Sequence, residues 1–424
     1  MDAPGYLPPT ADPGQDHERK NAQIRPRNPN YVSQTPLSTT PRPSVWQLFI
    51  SFLRLGLTAF GGPSMIAYVH QMAVEKKHWL DTEAFADGVA FCQMMPGATA
   101  MQVTAYVGLR LRGVIGAAAS FIGFGLPAFL LMMVLAALYT NNHDLPVVIS
   151  AFSGLQAIIV AIVANATLSF GKNSLKDWKA FIIAGIAAAL FGLNLNPILV
   201  ILLAASLGLA LFEPRKSSSS HSASTAQMPV SVKPLLLFLS IFAAGSILLF
   251  VFSRTLFDLA ILMLRIDLFA FGGGFASVPL MFHEIVEVRH WMDSPTFMNG
   301  IVLGQVTPGP IVITATFVGF LLGGPIGGVI ATVGIFLPSF TLVVGISPYF
   351  DQLRTSPSFN KAIGGVLCSF VGLLLTVTMR FAFNVHWDIS HILLATAAFL
   401  ALLRKVDILW VVVVGTIVSA IMFA

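Results

Sequence analysis

Phe60-Gly61-Gly62-Pro63 returns later in the chain as Phe271-Gly272-Gly273-Gly274, and three further stretches return with it. His78-Trp79-Leu80-Asp81 reappears as His290-Trp291-Met292-Asp293, and Gln93-x-x-Pro96-Gly97-Ala98 as Gln305-x-x-Pro308-Gly309-Pro310. Leu126-Pro127-Ala128-Phe129 reappears as Leu337-Pro338-Ser339-Phe340. The offset is 211 or 212 residues each time, which chance matches would not keep. The chain is therefore a duplication, and its fold is to be read as two homologous halves.

Around these motifs the chain is apolar. Of its 424 residues 56% are hydrophobic and 10% charged, with a mean hydropathy of +0.81. A soluble globule carries about a quarter of its residues as charged side chains. So little polar surface excludes a soluble enzyme, a disordered protein and a disulfide scaffold. It calls for an all-α, polytopic integral membrane protein. No charged residue occurs between Asp293 and Asp351. Cys92 and Cys368 both sit in apolar segments with no Cys/His cluster nearby, so no metal site is expected. The formal charge of +5 comes in short clusters beside apolar runs, the pattern that orients a membrane protein rather than one that binds nucleic acid.

Composition divides the chain. Residues 1–44 are polar and Pro-rich, lack a signal-peptide core and read as a disordered cytoplasmic tail. The first repeat covers 45–212, a Ser-rich polar linker 213–233, a connecting span 234–254 and the second repeat 255–424. The runs add up to about 10–13 membrane segments, some of them broken or re-entrant. In the first half the turns at Arg110/Arg112 and Lys172/Lys176/Lys179 are basic. In the second half Gly323-Gly324 stands at the first of these turns, only Arg380 is kept at the next, and the basic turns are Arg354/Lys361 and Arg404/Lys405. The mirrored pattern predicts opposite orientations for the halves by the positive-inside rule. Leu235–Phe252 has no first-half counterpart, and one extra span would cause that inversion. Lys76-Lys77 fits only if the flanking runs are re-entrant.

Inverted repeats place substrate between broken helices whose N-termini point at it. The breaks expected here are Gly61-Gly62-Pro63, Pro96-Gly97, Gly272-Gly273-Gly274 and Pro308-Gly309-Pro310, where freed N–H groups and the positive helix end suit an anion. Small residues also serve plain helix packing, but matched pairs of breaks in both halves favour the functional reading. Arg54 and Arg265 are symmetry mates inside apolar runs, and their planar donor forks suit a tetrahedral oxyanion. Snorkelling to the interface is the bland alternative. Asp267 has Gly56 as its mate; it is either the counter-ion of Arg265 or a proton-carrying carboxylate. His70, Glu75, His283, Glu284 and Glu287 flank the first long segment of each half, and of these His70 and Glu284 join Asp267 as coupling candidates. Gln93 and Gln305 supply neutral donors beside the Pro-Gly breaks, while Thr104 and Thr316 more simply bond back within their helices. No GxSxG, HExxH or GxxxxGK[ST] is present, so neither catalysis nor ATP-driven transport by this chain is expected.

Taken together, these motifs resemble the chromate ion transporter family, in its long two-domain branch. The resemblance rests on Phe60–Pro63, Lys76–Leu80, Pro96-Gly97, Phe271–Gly274 with Ala276-Ser277-Val278-Pro279, and Gly304-Gln305-x-x-Pro308-Gly309-Pro310, and it covers nearly everything from Val45 onward. Pro96-Gly97-Ala98 departs from the family's usual Pro-Gly-Pro. The resemblance implies a secondary transporter of chromate in the cell membrane (inner or plasma), conferring chromate resistance, with no cofactor. Sulfate is the alternative substrate, the bilayer its surroundings and a homodimer the implied assembly. Export is physically favoured: a dianion leaving an inside-negative cell gains about 4.6 kcal/mol per 100 mV. Proton-coupled oxyanion uptake is the alternative, and an ion channel or non-transporting scaffold the reading from another class.

Overall fold

The computed structural model describes residues 43–60, 64–213, 233–349, 353 and 355–423. The first half supplies α1 (Val45–Thr58), α2 (Ser64–His70), α3 (Thr82–Met94), α4 (Thr99–Asn142), α5 (Pro146–Ser174), α6 (Trp178–Gly192) and α7 (Pro197–Leu211). Then comes α8 (Lys233–Phe252). The second half repeats the series as α9 (Arg254–Phe269), α10 (Gly274–Phe282), α11 (Ser294–Val306), α12 (Thr314–Ile346), α13 (Pro357–Asn384), α14 (Ile389–Leu403) and α15 (Ile408–Met422). Among the described residues α8 is the helix without a mate. Gly61, Gly62 and Pro63, most of the N-terminal tail, and residues 214–232 of the linker lie outside the described residues.

Local sequence sets these elements. Ser44 opens α1 with a capping box: its Oγ accepts from Gln47 N–H at 3.1 Å and the Gln47 carbonyl accepts from Ser44 N–H at 2.9 Å. The repeated His-Trp-x-Asp motif is a helix start. His78 and His290 turn the chain at φ +50° and +51°. Asp81 and Asp293 then cap α3 and α11, accepting from Ala84 N–H at 2.7 Å and Thr296 N–H at 2.9 Å. Each of α2 and α10 runs into a π-helical turn, Gln71–Lys76 and His283–Val288, at mirrored positions.

Four described stretches are long and apolar enough to cross a membrane: Thr99–Asn142, Pro146–Ser174, Ile311–Tyr349 and Pro357–Asn384. Several shorter apolar helices accompany them. The chain is a membrane protein. α4 would be about 66 Å long if straight, twice a hydrocarbon core. It is instead a hairpin. Arg112 and Gly113 leave helical geometry, with Gly113 at φ +65°, and so do their mates Gly323 and Gly324, the latter at φ +62°. The arms then pack back on themselves. Ser120 Oγ donates to Thr104 O at 2.8 Å, and the Thr316 and Thr332 hydroxyls meet at 2.7 Å. The turn falls where Arg110 and Arg112 divide the sequence into two apolar runs. α2 and α3, by contrast, are too short for a full crossing, which needs about 20 residues.

The halves interlace. α1 packs on α4 as α9 packs on α12, and α4 and α12 pack on each other. α5 packs on α14 and α15 of the other half, while α13 packs on α6 and α7. These reciprocal contacts describe a two-fold relation. On its axis, between α4 and α12, lies a cavity of about 340 Å³, lined by mates such as Phe121 with Thr332 and Phe129 with Phe340. The hydroxyl of Thr332 donates to Gly328 O, and the rest of the lining is apolar, so this cavity offers nothing to a dianion.

Candidate functional site

Each Pro-Gly break meets the glycine motif of the opposite half. Pro96 pairs with Phe271, and Gly97 N–H donates to Ala270 O at 2.8 Å. Reciprocally, Gly309 N–H donates to Ala59 O at 2.9 Å. These contacts need backbone at close approach with φ near +110°, which Gly97 (φ +109°) and Gly309 (φ +119°) provide and L side chains rarely adopt. The buried prolines Pro96, Pro308 and Pro310 end the preceding helices and cannot continue them. A break is thus one strand-like crossing shared between halves.

Two helices start at the first crossing. α4 begins at Thr99 after Ala98, and α10 begins at Gly274 after Gly273, which holds φ +89°; neither N-cap side chain supplies a hydrogen bond. They converge: a Cβ placed on Gly273 would lie 3.3 Å from Thr99 Oγ1. On its other side, a Cβ on Gly274 would meet Val312 at 2.9 Å, next to the second break. Uncapped helix starts carry free N–H groups and positive partial charge. Ser277 Oγ, in the first turn of α10, is a buried donor there without a partner of its own among the described residues, and Gln305 Nε2, at the end of α11 before the second break, is another. Phe170 stands against Gly272 and walls the site on one side.

The other candidates are placed as follows. Gln93 is exposed near the end of α3, unlike its mate Gln305. Arg54 is exposed on α1, whereas its mate Arg265 is half-buried and reaches Glu284 at 3.9 Å; Arg289 Nε reaches the same carboxylate at 3.6 Å. His70 pairs with Glu75 at 3.2 Å. Asp267 does not pair with Arg265 but is fully buried, with its Oδ2 accepting from Ser339 N–H at 3.0 Å and Ser339 Oγ at 2.7 Å. Thr104 bonds back to Met101 O, the bland reading.

Sequence reasoning singled out His283 and Glu287 but missed Arg380, which joins them in a second ionic group. Glu287 accepts from Arg380 and lies 2.8 Å from His283 Nδ1. Arg380 also donates to Phe191 O at 2.7 Å, at the end of α6, so this group ties the halves together. Arg380 read as an ordinary turn residue. Its one signal was being a basic residue whose first-half mate is Ser169.

The division into two halves recurs in sequence comparison. The model described as "Chromate transporter" matches residues 46–209 and again residues 257–420. The chain belongs to the chromate transporter family. An uncharacterized transporter of Methanocaldococcus jannaschii is 42% identical over 379 residues, 89% of this chain and 94% of that protein. A chromate transport protein of Pseudomonas aeruginosa is 30% identical over 84% of this chain and 85% of its own length. One of Cupriavidus metallidurans is 27% identical over 89% and 93%. No solved structure matches the chain. In this member of the chromate transporter family the two matched regions are the two halves that interlace at the breaks.

Proposed function

We propose that this chain is a secondary transporter that carries chromate, or a similar tetrahedral dianion such as sulfate, outward across the cell membrane and so confers chromate resistance. The observation that carries the reading is the convergence of the α4 and α10 starts at Gly273 and Thr99, with the unpartnered donor of Ser277 in the first turn of α10. A dianion there would meet helix-end N–H groups and neutral side-chain donors, a neutral-bodied anion site. The remaining backbone of Pro96, Gly97, Gly272, Gly274, Pro308, Gly309 and Pro310 shapes the two crossings. Arg54, Arg265 and Gln93 lie along the path, with Arg265 held by Glu284 until substrate arrives. The halves are inverted, which supports alternating access around a fixed site. The membrane potential is the driving force.

Substrate binding tests the site. Chromate binding to purified protein, competed by sulfate, is measured for Ser277→Ala and Gln305→Leu. A hydrogen bond to a charged group contributes about 1.5–3 kcal/mol, so each variant should bind roughly 10–100-fold more weakly. Unchanged affinity in Ser277→Ala would move the site away from the first crossing, and unchanged affinity in both variants would move it away from the breaks altogether.

A further inference from the structure

The duplication supplies an internal control, because every residue at the first crossing has a mate at the second. At the first crossing Ala98 N–H donates to Ser339 Oγ at 2.9 Å, and Ser339 in turn donates to the Asp267 carboxylate. A Cβ on Gly97 would lie 2.9 Å from Asp267 Oδ2 and 3.1 Å from Gln102 Nε2, so both side chains surround that glycine. At the second crossing the mates of Asp267, Ser339, Ala98 and Gln102 are Gly56, Ala128, Pro310 and Thr314. The carboxylate, the hydroxyl, the backbone N–H and the amide are all absent together. One crossing is a polar cluster; the other is not.

The polar cluster has a defect. Gln102 Nε2 donates to Pro96 O, but Gln102 Oε1 and Asp267 Oδ1 are buried without a hydrogen-bond partner among the described residues. Both are acceptors, and buried acceptors are costly when left unmatched. The elements packed on α9 bring Asp267 no cation. α10 and α12 contain no ionisable residue, and α8 has only Lys233 at its first position. On α9 itself Asp258 and Arg254 lie two and three turns away, and Arg265 is engaged by Glu284 on the turn after α10. On α4, Tyr106, Arg110 and Arg112 lie at least one turn beyond Gln102. One proton on Oδ1 supplies the missing donor and removes the uncompensated charge.

We propose that Asp267, with Ser339 and Gln102, is a proton-binding site at the first crossing, and that the proton binds together with the oxyanion. The coupling rests on the oxyanion reading given above. Gly97 and Ala98 immediately precede α4, so an ionised Asp267 places negative charge at the helix end that a dianion would use. Protonation removes that repulsion, and by reciprocity the bound dianion favours the proton. The sign is fixed: oxyanion affinity falls as pH rises through the titration of Asp267.

Two measurements on the purified full-length protein test this. Infrared difference spectra in light and heavy water should show a protonated carboxyl band that is lost in Asp267→Asn and displaced in Gln102→Met, which keeps the acid but removes its acceptor. Absence of such a band in the wild-type protein at every pH would overturn the proton site, whether or not chromate binds. Chromate affinity, taken as the ratio of wild type to Asp267→Asn so that chromate's own protonation cancels, should fall on the order of tenfold with rising pH. A pH-independent ratio, or one that follows sodium instead, would overturn the coupling. If the wild-type protein binds no chromate or sulfate at any pH, the oxyanion reading fails, and the infrared band alone then decides the proton site.

Discussion

Alanine at Gly97 and alanine at Gly113 both strain a positive-φ backbone, in two different surroundings. Both glycines hold positive φ, +109° and +65°, outside the left-handed helical region, where a Cβ costs about 1–3 kcal/mol. Around Gly113 nothing lies within 4 Å of the added Cβ, so the strain is the whole effect. At Gly97 the added carbon collides with Ser339 Oγ and stands 2.9 Å from Asp267 Oδ2, with Gln102 Nε2 at 3.1 Å. Overpacking of this kind adds about 1–3 kcal/mol. It also pushes on the Gly97–Ala270 hydrogen bond that joins the halves. Gly97→Ala should therefore cost about 2–6 kcal/mol against about 1–3 for Gly113→Ala. Thermal unfolding in lipid nanodiscs, with chromate flux on the same preparations, reads the difference. Gly113→Ala should keep its flux and Gly97→Ala should lose it. Equal melting and equal flux for the two variants would refute the idea that the crossing is a close-packed joint between halves.

Other consequences follow from the same geometry. Arg380→Ala leaves Glu287 and His283 without the guanidinium that ties them to α6, and should destabilise by about 3 kcal/mol, discounted somewhat for the side chain's partial exposure; denaturation midpoints check this. Asp81→Ala and Asp293→Ala each remove a helix cap and should cost about 1 kcal/mol, equally in the two halves, by the same assay. Arg54→Ala and Arg265→Ala should each abolish chromate flux at unchanged membrane levels, as measured by quantitative blotting beside transport. Unchanged flux in both would take the arginines off the substrate path.

The duplication, the breaks and the hairpin turn were all legible in the sequence, because each has a local chemical cause. Glycine and proline mark where a helix cannot continue, and Arg110 with Arg112 marks where an apolar run must reach water. The His-Trp-x-Asp repeat was visible as a repeat, but its role as a helix cap needed the backbone. The partner of each break was not legible. That Gly97 meets Ala270 and Gly309 meets Ala59 depends on interlacing across 173 and 250 residues, which no local pattern encodes. Of the two readings open for Asp267, the counter-ion of Arg265 rested on the two residues being close in sequence. Residues two apart on a helix face different sides, and the carboxylate turns to α12 instead. Gln102 carries no local sequence signal, and its buried, unmatched carbonyl appears only once Pro96, Asp267 and Ser339 are brought around it.

Radiolabelled chromate flux in inverted membrane vesicles, with and without an imposed potential and competed by sulfate, tests the transport reading most directly. The account predicts potential-dependent accumulation inside the vesicles, abolished by Gly97→Ala. No accumulation at any potential, with sulfate instead entering right-side-out vesicles on a proton gradient, would contradict it and make this chain an uptake carrier.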